Sequence, residues 1–267
     1  TLAAAYMNIA VAHTMGGEVS GTIDESIRHA VTKFAHIHFP ASKDARERII
    51  KLGERPEDVH LVGCPRIDLV AEILATTQSH IGDDLFNSGV GERFDLRKRF
   101  LLVSEHPVTT EFGAGEEQML ATLEAVRNVS LPAIVLWPNA DAGSEQIARG
   151  IRKWRERGLA NNMHFFKNLP IDTYVQLMKH TSCLIGNSSS GIREGAFIGT
   201  PVVNIGARQS KRERGSNVID VDHDVGSITD AIQMQIDHGP YPMEPVYGDG
   251  HAGRRIAETL AQCEVRI

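Results

Sequence analysis

The sequence predicts an α/β protein with two parallel-sheet domains, on three observations. Short apolar runs that are typical of buried strands alternate with segments of helical periodicity, as in strand 182–186, helix 191–198 and strand 201–205. The alternation stops in the polar stretch 79–97, which contains several glycines, and then begins again. Small and polar residues follow many of the predicted strands at the end where ligands bind in such sheets. This pattern favours two Rossmann-type domains with a cleft between them.

Residues 1–78 are predicted to be the C-terminal part of the first domain. The apolar pattern places strands at 9–13, 37–39 and 59–62, and helices at 25–35, 42–52 and 66–78. Asp24 and Ser42 precede two of these helices as cap residues. A parallel strand at 9–13 needs earlier strands beside it, so we expect this domain to be incomplete and the chain to be N-terminally truncated.

Residues 79–98 are predicted to be a linker, and residues 99–250 a second, nucleotide-binding domain. Its strands are expected at 99–104, 132–137, 163–166, 182–186, 201–205 and 217–221. Its helices are expected at 114–128, 144–157, 171–180, 191–198 and 225–237. The terminal segment 251–267 is expected to be a helix, over 251–263, that packs back on the first domain.

Composition limits the partners and the compartment. The net charge of −6 argues against nucleic acid as a partner, and the absence of an apolar run of about 18 residues argues against a membrane span. The three cysteines are odd in number and far apart, which indicates reduced thiols and a cytoplasmic protein. We also expect a homo-oligomer, either a dimer or a tetramer.

The stretch from Ser188 to Glu194 is the most informative of the chain. A strand, a loop of small residues and a helix start are how an α/β sheet presents N–H groups to a phosphate. The hydroxyls of Ser188, Ser189 and Ser190 add donors. Glu194, one turn into the helix, is placed to accept from the two hydroxyls of a ribose. The sequence therefore predicts a nucleotide-type ligand.

The loop over residues 13–29 predicts proton-transfer chemistry at the end of the first strand. It carries Glu18, Asp24 and Glu25 with Arg28, and glycines let its backbone approach a ligand. Paired carboxylates suit the removal and return of a proton at carbon. The alternative is that Asp24 and Glu25 cap the following helix and that Glu18 is only solvated.

Three further loops follow strands of the second domain. His106 follows strand 99–104, where a titratable group faces the cleft, although it could simply end the strand. The loop 138–144 contains Asn139, and helix capping by Asp141 or Ser144 is its structural alternative. The backbone around Leu169 is placed to read a base edge.

Other polar clusters favour structural roles. His36 and His38 share a strand face without a third ligand, and residues 222–224 suit a turn that caps the next helix, so no metal site is expected. The arginine-rich run 208–214 is typical of a solvated surface. Arg208, directly after strand 201–205, could still reach a phosphate.

These segments together resemble the UDP-N-acetylglucosamine 2-epimerase family, and most closely its hydrolysing branch in sialic and legionaminic acid pathways. The matching stretches run in family order from end to end: 13–24, 63–65, 106–110, 138–144, 186–194 and 247–250. The resemblance implies a GT-B-like pair of Rossmann domains with UDP in the cleft.

The resemblance also implies roles for individual residues. Glu18, Asp24 and His106 match catalytic positions, and His13, Arg28 and Asn139 lie where sugar or phosphate contacts are expected. The positions that match UDP contacts are Leu169, Ser188, Ser189, Ser190, Gly191, Glu194 and Arg208. The family's first basic phosphate-binding motif and an acidic residue upstream of His13 have no counterpart here, so we expect this chain to be inactive alone.

The implied reaction removes the proton at sugar C2 while UDP leaves C1, and water then adds with inversion at C2. No metal or other cofactor is expected. Three rival functions remain open: a GT-B glycosyltransferase, a non-hydrolysing epimerase that releases UDP-N-acetylmannosamine, and a non-catalytic nucleotide-sugar-binding protein. The sequence does not distinguish N-acetylglucosamine from a 2,4-diacetamido-trideoxy sugar as the substrate.

Overall fold

The computed structural model describes residues 1–20, 23–76, 81–108, 111 and 113–263. The α-helices in chain order are α1 Leu2–Tyr6, α2 Asp24–Phe34, α3 Lys43–Lys51, α4 Pro65–Thr76, α5 Gly115–Val129, α6 Ser144–Glu156, α7 Ile171–His180, α8 Ser189–Ile192, α9 Glu194–Ile198, α10 Val225–His238 and α11 Ala252–Gln262. The strands are β1 Ala12–Thr14, β2 Ile37–Phe39, β3 Val90–Gly91, β4 Leu101–Ser104, β5 Ala133–Leu136, β6 Met163–Phe166, β7 Cys183–Gly186, β8 Val202–Ile205 and β9 Val218–Val221. Among these residues, no helix has the length and apolar character that a membrane span requires.

The described residues divide into two compact units. The first unit comprises residues of Thr1–Ala75, Ser210–Glu213 and Pro245–Ile267. The second comprises residues of Thr76–Gln209 and Arg214–Glu244. The four-residue segment Ser210–Glu213 thus belongs to the first unit although the chain on either side of it belongs to the second.

The second unit is built on a seven-stranded sheet in the order β3-β6-β5-β4-β7-β8-β9. Only β3 is antiparallel to its neighbour, and the remaining pairs are parallel. From β4 the chain winds outward through β5 and β6, and it then returns to β7 and winds the other way. The winding therefore reverses between β4 and β7, and such a switch point is where ligands bind in open α/β sheets.

Alternate side chains of the central strands fill the cores on the two faces of this sheet. Leu101 and Val103 of β4 pack with residues of α5, α6 and α10 on one face. Phe100 and Leu102 pack with Leu177 of α7 on the other face. Strands that are buried on both faces read as continuous apolar runs, which is why the sequence pattern located them well.

The first unit has a smaller sheet. β1 and β2 are parallel and three residues long, and an isolated bridge joins His38 to Val59. Ile37, Phe39 and Val62 form its apolar cluster, against which Ile256 of α11 packs. The Asp68 carboxylate of α4 accepts hydrogen bonds from the first two N–H groups of α11, at 2.9 and 2.6 Å. The terminal helix therefore belongs to the first unit.

Four predicted elements differ from the structure. The predicted strand 59–62 is reduced to an isolated bridge between Val59 and His38, with backbone hydrogen bonds from His60 to the His38 carbonyl at 2.9 Å and from Val62 to the Pro40 carbonyl at 3.3 Å. The predicted strand 9–13 begins only at Ala12. The predicted helix 191–198 is two short helices that meet at Arg193. The predicted linker contains a 3₁₀ helix at Asp83–Ser88 and the edge strand β3.

The helix predicted over 66–78 is α4, and its last two predicted residues lie outside the described part of the chain. The domain boundaries drawn from the sequence stay a prediction.

Candidate functional site

The switch point of the second unit brings together two loops that the sequence singled out. Ser104, the last residue of β4, pairs in register with Gly186, the last residue of β7. Gly186 has a φ of 129°, and a Cβ atom there would collide with the Ser104 carbonyl oxygen. A glycine is needed because only it allows both this backbone conformation and this close approach. The segments 105–108 and 187–192 therefore leave the sheet side by side.

Asn187 locks these two segments together. Its side chain accepts from the backbone N–H of His106 at 2.8 Å and donates to the backbone carbonyl of His106 at 2.8 Å. The Asn187 carbonyl in turn accepts from Arg208 at 3.2 Å and from Gln209 at 2.8 Å. Asn187 is thus the buried centre of the loop cluster, and sequence reasoning had assigned it no role.

The imidazole of His106 is held neutral. Burial lowers the pKa of His106 to about 4, helped by the nearby positive charge of Arg208. The backbone N–H of Asn139 donates to Nδ1 at 3.2 Å, so the ring proton is on Nε2, 3.4 Å from the Ser104 hydroxyl. At neutral pH His106 therefore offers an N–H donor without a positive charge.

The loop 138–144 supplies the counter-charge of this cluster. The Asp141 carboxylate accepts from the Asn139 side chain at 2.7 Å and from Arg208 at 3.4 Å. The alternative that Asp141 or Ser144 caps the next helix is wrong, because Gly143 occupies the N-cap of α6 and no side chain caps it. Asp141 instead orients Arg208, whose side chain is largely buried.

The serine loop forms a chain of hydroxyl groups. The Tyr174 hydroxyl lies 2.6 Å from Ser190 Oγ, which lies 2.8 Å from Ser188 Oγ. Ser188 is the N-cap of α8 and accepts from the Ser190 N–H at 3.4 Å. Burial raises the pKa of Tyr174, so its hydroxyl stays protonated. Gly191 is buried against Val202, where a side chain would not fit.

Glu194 begins α9 and is buried, with 5% of its surface exposed. Arg193 lies 3.8 Å from the Glu194 carboxylate and donates to the Ser189 hydroxyl at 3.1 Å. The break between α8 and α9 at Arg193 is what places Glu194 at the start of a new turn. Both residues are therefore fixed beside the serine loop.

Leu169 follows β6 and packs partly against the apolar cluster of Phe166 and Leu177. Its backbone N–H donates to the side-chain oxygen of Asn168 at 2.9 Å. A nucleotide base that binds this backbone would donate to the Leu169 carbonyl, or it would replace the Asn168 side-chain oxygen as the acceptor of the Leu169 N–H.

In the first unit, a glycine turn positions Glu18. Gly17 has a φ of 76°, and a Cβ atom there would collide with the Ala45 carbonyl of α3. Arg48 of the same helix donates to the Gly17 carbonyl at 2.7 Å, and Arg28 donates to the Glu18 carbonyl at 2.9 Å. The loop is therefore held from two helices through its backbone.

The Glu18 side chain is buried rather than solvated, with 4% of its surface exposed. Its Oε2 atom lies 3.2 Å from an Arg212 nitrogen, and Oε1 has no hydrogen-bond partner among the described residues. The Arg212 side chain is itself 7% exposed. The interpretation of the run 208–214 as a solvated surface is wrong at this position.

The other candidates of the first unit lie on β1 and α2. Burial lowers the pKa of His13 to about 4, and its Nδ1 lies 3.4 Å from the Thr32 hydroxyl. Asp24 is exposed in the first turn of α2, which begins after Ile23 without a side-chain cap. Glu25 accepts from the Ser20 N–H at 2.8 Å, so the capping alternative is wrong for it.

The remaining polar clusters make contacts within the described residues. His38 lies 3.4 Å from Glu54, and His36 accepts from the Val11 N–H. Asp224 is the N-cap of α10, as predicted, and accepts from Ser227 at 2.8 Å. Within the described ranges no group of three or more metal-ligand side chains is gathered.

Comparisons with known proteins fit this picture. The family model described as UDP-N-acetylglucosamine 2-epimerase matches residues 1–261. Over 97% of its length the chain is 34% identical to a UDP-N,N'-diacetylbacillosamine 2-epimerase (hydrolyzing) of Legionella pneumophila, of which it covers 66%. Over 94% of its length it is 31% identical to a UDP-N-acetylglucosamine 2-epimerase of Neisseria meningitidis serogroup B, of which it covers 64%.

The fold is shared with solved structures. A UDP-GlcNAc 2-epimerase of Methanocaldococcus jannaschii, in complex with UDP-GlcNAc and UDP, matches 98% of this chain and 72% of its own chain with a TM-score of 0.80 at 15% identity. The GT-B-like α/β class predicted from the sequence is confirmed. The chain belongs to the UDP-N-acetylglucosamine 2-epimerase family, and it spans less than two thirds of the length of the curated relatives named above, 66% and 64%.

Proposed function

We propose that this chain carries the UDP site and the C2 acid/base site of a hydrolysing UDP-sugar 2-epimerase. The substrate is UDP-N-acetylglucosamine or its 2,4-diacetamido-trideoxy analogue, and the products are UDP and the free 2-epimer. The observation that carries this proposal is the Glu18 carboxylate. It is buried on a glycine turn and fixed through Oε2, and its Oε1 has no partner among the described residues.

A carboxylate in that state suits proton abstraction at carbon. One oxygen is held in place and the other is left to meet the substrate, so the group needs no reorganisation before the reaction. Glu18 takes the proton from C2, and the electrons of the C–H bond form the C1=C2 double bond. The C1–O bond breaks and its electrons leave with the UDP oxygen. Asp24, exposed on the same loop region, is the second acid/base group.

The second unit supplies the groups that hold and stabilise UDP. The serine hydroxyls and the Arg208 guanidinium face the diphosphate, and Glu194 accepts from the ribose hydroxyls. His106 offers an N–H to the departing phosphate, where charge develops in the transition state. Its lowered pKa suits a neutral donor that does not first have to lose a proton. Leu169 lies at the base.

Water completes the reaction. It adds a hydroxyl to C1 of the glycal intermediate, and an acid returns a proton to C2 on the opposite face, which inverts that centre. The sum is one water consumed for one UDP released, and no oxidant or reductant enters the balance. The hydrolysing outcome is supported by the Legionella pneumophila relative, whose description names that reaction.

A second outcome is supported by the Neisseria meningitidis relative, which is described as a UDP-N-acetylglucosamine 2-epimerase without the hydrolysing qualifier. In that case UDP would return to C1 and UDP-N-acetylmannosamine would be released. Product analysis separates the two. The complete natural protein that carries this sequence is incubated in D₂O with each UDP-sugar in turn and followed by NMR.

We expect UDP and a free 2-epimer with deuterium at C2. Retention of the C1–phosphate bond in the epimer would establish the non-hydrolysing outcome. UDP release that requires an added acceptor would instead indicate a glycosyltransferase. Tight binding of both UDP-sugars without deuterium exchange would indicate a sensor, and absence of UDP binding would overturn the proposal altogether.

A further inference from the structure

We infer that Arg212 is a positioning residue for the acid/base carboxylate of Glu18, an inference that rests on the proposed function. Arg212 makes a charge-assisted contact to Glu18 Oε2 at 3.2 Å, and its Nε donates to the Val19 carbonyl at 3.1 Å. One guanidinium thus holds both the side chain of Glu18 and the backbone just after it. Two-point contact of this kind fixes direction as well as charge.

The contact is buried, which makes its geometry consequential. The Arg212 and Glu18 side chains are 7% and 4% exposed. Removing one partner of a buried ion pair is strongly destabilising, because it leaves the other charge buried without compensation. Arg212 holds the Oε2 atom of Glu18 in place, so that Oε1 remains for the proton of the substrate.

The segment Ser210–Glu213 is itself clamped to the first unit, so that Arg212 is delivered in a fixed place. The Glu213 carboxylate accepts from the Asp44 N–H at the start of α3, at 3.2 Å. The Glu213 carbonyl accepts from the Tyr247 hydroxyl at 2.6 Å. Lys211 has a φ of 64°, which turns the chain immediately before Arg212. The arginine-rich run 208–214 did not reveal this in the sequence, because a charge run looks the same whether or not one of its members is buried.

Arg48 provides a matched control. It also holds the Glu18 loop, but through the Gly17 carbonyl at 2.7 Å and not through a carboxylate. If Arg212 only orders the loop, its replacement should cost about as much activity as replacement of Arg48. If Arg212 positions the Glu18 carboxylate, its replacement should cost clearly more.

The test measures kcat and KM for the complete natural protein and for the variants R212M, R212K and R48M. Because removal of a proton-transfer group costs about 10²–10⁴ in rate, we expect R212M to lower kcat by about 10²-fold, with KM within about threefold of the wild type. R212K should recover about tenfold, since an ammonium restores the charge but not the two-point contact. R48M removes only a backbone contact of the loop, so it should lower kcat by clearly less than R212M does.

A double-mutant cycle with E18Q distinguishes positioning from an independent role. Residues that act as a unit are not additive, so E18Q with R212M should be no slower than E18Q alone. Thermal unfolding and UDP affinity of each variant establish that it folds, and R212K remains informative if R212M does not.

Several results would overturn the inference. These are an unchanged kcat in R212M, a raised KM with an intact kcat, an equal loss in R48M, or additive losses in the double variant. Failure of the wild type to turn over either UDP-sugar would overturn the proposed function and this inference with it. Wild-type turnover with an unaffected R212M would overturn the inference alone.

Discussion

Burial decides which side chains near the switch point of the second unit carry charge. Glu105, between Ser104 and His106, is 1% exposed, and burial raises the pKa of its carboxyl to about 7. The Thr122 hydroxyl offsets only part of this effect. His223 Nδ1 lies 3.9 Å from Glu105, and burial lowers the pKa of His223. The two are therefore not an ion pair at neutral pH, because burial disfavours the charge on both.

Glu105 predicts a pH dependence of stability. The folded-state pKa of about 7 lies above the ordinary value of 4.5 for a glutamate, so the carboxyl is protonated in both states below about pH 4.5. Between pH 4.5 and pH 7 the unfolded state ionises first, and folding stability falls as the pH rises. The shift corresponds to a loss of about 3 kcal/mol.

The variant E105Q removes this titration. Denaturant unfolding of the chain and of E105Q at pH 4.5, 6 and 8 should show E105Q gaining about 3 kcal/mol relative to the wild type across that range. E111Q, which removes a neighbouring but only partly buried carboxylate, serves as the control. A constant difference between E105Q and the wild type at all three pH values would contradict the prediction.

Glu18→Gln in the complete natural protein is expected to abolish turnover and to leave UDP affinity within several-fold. A glutamine keeps the shape but cannot take the C2 proton, and the cost in rate is about 10²–10⁴. Turnover is measured by UDP release, and UDP affinity by calorimetry. Unchanged turnover would remove Glu18 from the mechanism and leave Asp24 as the base.

Glu194→Ala is expected to weaken UDP binding by about 1.5–3 kcal/mol, the range for hydrogen bonds to a charged group. The ribose assignment is tested by titrating 2′-deoxy-UDP as well. If Glu194 accepts from the 2′-hydroxyl, the variant should bind the two nucleotides almost equally, whereas the wild type should prefer UDP. The same preference in both proteins would show that Glu194 has a structural role beside Arg193.

At the residue scale, the sequence located candidates but not their surroundings. Glu18 and His106 became candidates because they follow strands, which is a local signal. Asn187 and Arg212 were missed because their roles depend on residues 81 and 194 positions away, His106 and Glu18, and no periodicity records such a distance. The sequence signal for Asn187 was its position, since it is a polar residue between a predicted buried strand and the serine loop.

At the scale of elements, the buried strands were predictable and the breaks were not. β4 to β9 all lie within the apolar runs that predicted them. The helix expected over 191–198 is interrupted at Arg193 because the chain turns there toward Glu194, and Arg193 itself gives no break signal such as proline. The segment 59–62 shows the same limit, because an apolar run becomes a full strand only where it pairs over several residues, and here it keeps one isolated bridge.

Gly186 carries an element-scale prediction, because it joins β7 to the serine loop. Gly186→Ala combines an unfavourable φ of 129° with a collision at the Ser104 carbonyl. We expect a loss of about 3 kcal/mol or more in unfolding free energy, together with weaker UDP binding. Gly158→Ala is the matched control, since Gly158 has a φ of 69° but no atom near its added Cβ.

The control should cost only the backbone term of about 1–2 kcal/mol. Both variants are compared with the wild type by urea unfolding, and UDP affinity is measured for each. Equal losses in the two variants would contradict the prediction, because they would mean that a Cβ atom at position 186 does not collide with the Ser104 carbonyl.

At the scale of the whole molecule, the two units differ in what holds them. The second unit has a seven-stranded sheet with apolar clusters on both faces. The first has two paired strands of three residues and a smaller described cluster. Two-stranded sheets are marginal without packing partners, and regions with little buried apolar surface open at lower free energy. The sequence indicated two units, but it could not show that Ser210–Glu213 belongs to the first, since that depends on tertiary contacts.

Hydrogen exchange followed by mass spectrometry should therefore show two levels of protection in the chain. We expect slow exchange in β4, β5 and β7, which are inner strands of the larger sheet, and faster exchange in β1 and β2.

Saturating UDP, at about 100 times its Kd, should raise the protection of the second unit by up to about 2.7 kcal/mol, with the largest change in 101–108 and 183–194. ADP, which carries the same diphosphate on a different base, is the control and should protect these segments less. Equal protection of both units without UDP would contradict the difference in their cores. A UDP effect that is uniform along the chain, or matched by ADP, would contradict the placement of the nucleotide at the switch point between β4 and β7.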